Sequence, residues 1–120
     1  MRQETVQLDT GGMWLWLLQR VTAVVLLLGL AAHVIATHAL DLGDLSYDNV
    51  AGRLASGFFV VVDFSLLAAG LFHGLNGLRM VLLDYGFTGR AKTLLSWALL
   101  LVGLAMFAYG TWALWPWLTA

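Results

Sequence analysis

Val21–Leu40 runs for twenty residues without a charged side chain. As a helix it would reach ~30 Å, the thickness of a bilayer's hydrocarbon core. A helix with no charged face must lie in lipid or deep inside a large protein, and this chain has only 120 residues. Thr93–Leu118 is a second charge-free run, and Leu54–Leu83 is apolar but interrupted by Asp63 and Arg79. The chain is 61% hydrophobic and 11% charged, too little charge to cover a soluble globule. The pattern therefore predicts an all-α integral membrane protein. Residues 1–120 form one membrane-anchor domain with three transmembrane helices, at about 13–40, 62–83 and 93–118.

Punctuation refines this layout. Trp14 and Trp16 sit at one end of the first span; Tyr109, Trp112, Trp115 and Trp117 form an aromatic belt at the end of the third, where Pro116 marks the stop. Asp41–Arg53 is acidic and reads as a loop with room for a surface turn of helix. Leu54–Val61 is expected in or above the interface, which leaves Asp63 near the head groups. Asp84–Lys92 reads as a short turn. Met1–Gly12 is polar, and the apolar run after it is longer than the core of a signal peptide, with no small-residue cleavage motif. It is expected to be a retained first helix. Arg2, Arg20, Arg79, Arg90 and Lys92 fall toward one side and only Arg53 toward the other, so the N-terminus is expected in the cytoplasm and the C-terminus outside.

A net charge of −1 without a basic patch excludes a nucleic-acid partner. With no cysteine the chain has no disulfide and no thiolate for an iron–sulfur cluster. If electrons pass through this chain, their carrier is held by histidine or comes from a partner. His73 lies in the second span, eleven residues before Asp84-Tyr85. On a helical wheel Ala69, Gly70, Asn76, Gly77, Met80 and Asp84 lie within ~60° of it. The small residues there leave room for a flat macrocycle or for a packed helix. His73 is read either as an axial haem ligand or as a residue that hydrogen-bonds a neighbouring helix. Arg79, ~120° off that face, can reach a haem propionate or snorkel to the head groups. Asp84 and Tyr85 at the boundary can relay protons to a quinone, or simply end the helix.

His73, Gly77 and Asp84-Tyr85, together with the first-helix opening Gln19-Arg20-Val21-Thr22-Ala23, resemble the family of smaller hydrophobic membrane anchors of succinate dehydrogenase (respiratory complex II). The acidic loop and three-span layout agree. The resemblance implies that this chain is not itself a succinate-oxidising enzyme but one component of such a complex. Its partners would be a companion membrane anchor, an iron–sulfur subunit and a flavoprotein subunit, in the lipid bilayer of a bacterial inner membrane. FAD and the iron–sulfur clusters would belong to those partners. The resemblance implies haem b, one or two. His73 would ligate the proximal haem, with its second ligand from the companion anchor. Tyr85, Asp84 and Arg20 would line a site for menaquinone or ubiquinone. His33, thirteen residues beyond Arg20, departs from single-haem members and would ligate a distal haem; it reads equally as a packing histidine. His38, rotated ~140° from His33, reads as an interface residue. The competing readings are a haem-less structural anchor, a fumarate reductase anchor, and a component of a transporter or channel using Asp63 and the histidines as an ion path.

Overall fold

The computed structural model describes residues 10–39 and 45–119. Leu40, Asp41, Asp44 and Arg2, which entered the span and orientation readings, lie outside them. Helix α1 covers Thr10–Val34 and continues as a wider π-type turn, Ile35–Ala39. Helix α2 is Tyr47–Leu54, α3 is Gly57–Asp84 and α4 is Gly89–Leu118. Three helices are long and apolar enough to cross a membrane, Gly12–Ala39, Gly57–Asp84 and Gly89–Leu118. The chain is an all-α, multi-pass membrane protein.

Several boundaries differ from the sequence reading. The stretch Leu54–Val61 is divided between two helices. Leu54 ends α2, and Ser56 caps α3 by accepting the Phe59 amide at 3.4 Å, so α3 starts at Gly57. At ~42 Å it is longer than the hydrocarbon core, which leaves about a turn emerging at each side. The segment before it is a helix of eight residues, held to the end of α4 by Tyr47 against Trp117 (ring centroids 5.7 Å). The turn after α3 is shorter than Asp84–Lys92. Gly86 adopts φ +94°, the left-handed conformation that closes a helix, and its amide donates to Leu83 at 3.0 Å. Gly89, at φ +56°, then opens α4. Pro116 lies inside the last turn of α4, two residues before its end.

α3 is the centre of the bundle. It packs against α1 on one side and α4 on the other, and α1 does not pack against α4. The helices therefore form a row, not a closed triangle, and among the described residues only Ala69 and Asn76, both on α3, are buried. Glycines set the spacing on both seams. A Cβ on Gly29 would lie 3.1 Å from Leu66, and one on Gly77 would lie 3.3 Å from the Gln19 amide nitrogen. On the other seam, a Cβ on Gly103 would lie 2.8 Å from Leu75, and one on Gly110 would lie 2.7 Å from Leu67. Small residues of this kind let helices approach in lipid, where packing and not hydrophobic transfer drives association.

Gly110→Val is expected to overpack the α3–α4 seam and cost ~1–3 kcal/mol. Gly52→Ala, whose added methyl meets nothing within 4 Å, serves as its control. Thermal unfolding of the purified protein in detergent should show a lower midpoint for the first variant and no loss for the second.

Candidate functional site

The α1–α3 seam carries two polar clusters, one toward each end. Because α1 and α3 run antiparallel, Gln19 and Thr22 meet His73, Asn76 and Gly77, and further along His33 meets Asp63. Between the clusters the seam is apolar, with Leu26 against Gly70 and Leu66 against Gly29.

In the first cluster Gln19 uses its whole amide. Its Nε2 donates to the His73 carbonyl at 3.1 Å, and its Oε1 accepts from Asn76 Nδ2 at 2.8 Å. Asn76 is 7% exposed, the one buried polar side chain among the described residues. His73 Nδ1 lies 3.1 Å from the Gln19 carbonyl oxygen and 3.2 Å from Thr22 Oγ1. The Thr22 hydroxyl donates to the Leu18 carbonyl at 2.7 Å and so accepts at the histidine. A carbonyl can only accept, so the Nδ1 of His73 carries the proton and, in the neutral ring, Nε2 keeps a free lone pair. Nε2 enters no hydrogen bond among the described residues.

The second cluster repeats this logic with the helices exchanged. His33 on α1 places Nδ1 3.1 Å from Asp63 Oδ1 on α3. The carboxylate accepts, so Nδ1–H donates, and in the neutral ring Nε2 would again keep its lone pair. The His33 carbonyl accepts the Thr37 hydroxyl at 2.7 Å, within the π-type turn. Asp63 is thus a partner of His33. Along α3 the two clusters are ten residues apart, ~15 Å.

Other expected site residues fall elsewhere. The face of His73 that offered room for a macrocycle is filled by α1, through Gly77 against Gln19 and Gly70 against Leu26. Gly74, the next residue along, faces open space. Arg79 turns to α4, where its Nε donates to Ser96 Oγ at 2.9 Å. Arg20 stacks over Trp16, with its guanidinium carbon 4.1 Å from the ring centroid. The helix register sets Arg20 level with Asn76, ~12 Å along the bundle from Asp84. Asp84 is the last residue of α3 and Tyr85 its cap. Tyr85 is 80% exposed. A cleft of ≈ 450 Å³, lined by Trp16, Arg79, Met80, Leu83 and Lys92 among others, opens one turn in from that pair. His38 is exposed in the π-type turn.

Sequence reasoning did not single out Gln19, Thr22 and Asp63 as partners of the histidines. The signal was present: setting the first two spans antiparallel with Thr22 opposite His73 brings His33 opposite Asp63.

The sequence model of the succinate dehydrogenase/fumarate reductase transmembrane subunit matches residues 5–111. The chain belongs to this family. It is 36% identical over 99 residues to the succinate dehydrogenase hydrophobic membrane anchor subunit of Archaeoglobus fulgidus, covering 82% of this chain and 85% of that one. It is 31% identical over 87 residues to succinate dehydrogenase 2 membrane subunit SdhC of Mycobacterium tuberculosis, covering 72% and 64%. The anchor subunit of Halobacterium salinarum is 32% identical over 78 residues, covering 64% and 60%. The matched stretch thus spans less than two thirds of the mycobacterial and halobacterial relatives.

The Gln19–Asn76 contact is testable as a pair. Gln19→Leu strands the buried Asn76 amide and is expected to cost ~1–3 kcal/mol. The Gln19→Leu/Asn76→Leu double variant, with both polar groups removed, should recover part of that loss in the same thermal unfolding measurement.

Proposed function

We propose that this chain is a haem-ligating, quinone-contacting membrane anchor of succinate dehydrogenase, paired with a second membrane anchor beneath an iron–sulfur and a flavoprotein subunit. The observation that carries this reading is His73, an intramembrane imidazole whose Nδ1–H is fixed by Gln19 and Thr22 while Nε2 remains free.

The donor chemistry fits a haem. A lone imidazole would give this chain's single bond to a haem iron, and a further protein ligand would come from another chain. The outer hydrogen bond that a ligating histidine needs at its second nitrogen is present at both His73 and His33. Gly74 leaves the side of α3 next to His73 open. His73 would hold a proximal haem b and His33 a distal one; bound there, each would supply one-electron storage. The chain's own contribution is to hold the imidazoles in one tautomer and keep water from the seam. Arg79, whose Nε donates to Ser96, keeps its terminal nitrogens for a propionate.

The quinone reading rests on the exposed Tyr85 phenol and Asp84 at the end of α3, ~17 Å along the axis from His73. Reduction of a quinone to quinol takes two electrons and two protons. A phenol can hydrogen-bond the quinone carbonyl, and the adjacent carboxyl can pass protons from the aqueous side. A carboxylate at a helix C-terminus is unfavourable to the helix dipole, so its position calls for a use. The end of the bundle carrying Arg20, Arg79, Arg90 and Lys92 would face the cytoplasm of a bacterial inner membrane.

A haem-less anchor is the second reading, favoured by the fact that both histidines already clamp α1 to α3. The purified complex distinguishes the two. A reduced-minus-oxidised spectrum should show b-type haem, and His73→Leu should abolish or shift one component; a spectrum indifferent to that change removes the ligand role. Tyr85→Phe should slow succinate-driven quinone reduction severalfold while sparing reduction of an artificial dye. Equal loss of both activities removes the quinone role.

A further inference from the structure

The structure assigns Asp63 as the positioning residue of His33, the carboxylate that fixes this imidazole as ligand of a second haem. The assignment rests on the two-haem form of the function proposed above and goes beyond it by giving the two haem positions different outer partners.

At His73 the Nδ1–H is received by a neutral backbone carbonyl and a hydroxyl. At His33 it is received by a carboxylate at 3.1 Å. The side chains are partly sheltered, 36% exposed for His33 and 20% for Asp63. Asp63 lies only six residues into α3, ~9 Å from its start, so it sits just within the apolar layer of a helix ~42 Å long. An unpartnered carboxylate there is costly. A simple helix clamp does not need one, because the first cluster clamps the same two helices with neutral groups. A carboxylate is what a metal-bound histidine uses to hold its tautomer, aim its ring and strengthen its donation. The backbone agrees: the π-type turn begins two residues after His33, and Thr37 within it takes up the His33 carbonyl. Interruptions of this kind gather at functional sites. A stronger donor favours ferric iron, so Asp63 acts on the second haem through His33 without touching it.

The test uses the whole purified complex. Haem quantified against flavin gives the number of haems, and a redox titration followed by EPR of the ferric haems gives the potential and ring geometry of each. Wild type should hold two haems per flavin. Asp63→Asn, which replaces the carboxylate by a neutral amide, should raise the potential of one haem, by up to about tenfold in its reduced-to-oxidised ratio (~59 mV for one electron), and leave the other unchanged. Asp63→Glu keeps the charge and moves the oxygen. It should leave that potential nearer wild type while altering the EPR signal of the same haem, and it decides the matter should the Asn variant not assemble. One haem per flavin in wild type overturns the role of His33 and this assignment with it. Two haems with potentials and signals unchanged by either substitution overturn the assignment alone, and leave Asp63 a helix clamp.

Discussion

In lipid a polar side chain has no water to fall back on, and the α1–α3 seam is organised around that constraint. Gln19 answers it at one end by using both halves of its amide, one for the His73 carbonyl and one for Asn76. Asp63 and His33 answer it at the other by pairing. Interhelical hydrogen bonds in membranes are each worth little, ~0.6 kcal/mol on average. Their larger effect is on specificity. A rotation or a slip of α1 along α3 would unpair these polar groups together, the buried Asn76 amide among them, so they fix a register that the leucine-rich surfaces alone would leave loose.

That register determines the chemistry. A histidine free to rotate could present either nitrogen. Here each imidazole has its Nδ1 held against the opposite helix, which leaves Nε2 as the available donor at both ends of the seam. The same contacts that hold the bundle together therefore orient two imidazole rings, ~15 Å apart along α3. The apolar stretch between them, Leu26 on Gly70 and Leu66 on Gly29, interrupts any polar path along the seam and argues against an ion channel. It is compatible with electrons, which need no polar lining.

The row of helices gives this arrangement its context. With α1 and α4 both on α3 and apart from each other, the bundle has lipid-length faces that its own residues do not cover. On the opposite seam Arg79 and Ser96 play the part that Gln19 and Asn76 play on the first, tying α4 near the end where the basic residues gather.

Much of this was legible in the chain. The long apolar runs pointed to three spans, because a bilayer core calls for about twenty residues of helix each. The spacing of His73, Gly77 and Asp84-Tyr85 pointed to the family. The limits were physical. Whether Gly70 and Gly77 make room for a macrocycle or a helix cannot be read from one helix, since both need a missing side chain; the neighbour decides, and it is α1. Where Arg79 and Arg20 reach depends on flexible side chains choosing among nearby partners, Ser96 for one and Trp16 for the other. The His33–Asp63 pair joins residues thirty positions apart, and only the antiparallel register of α1 on α3 brings them together. The sequence by itself determined that this protein lives in a membrane and carries histidines there. The tertiary structure decided which nitrogen each histidine offers, because that choice belongs to the acceptor on the facing helix.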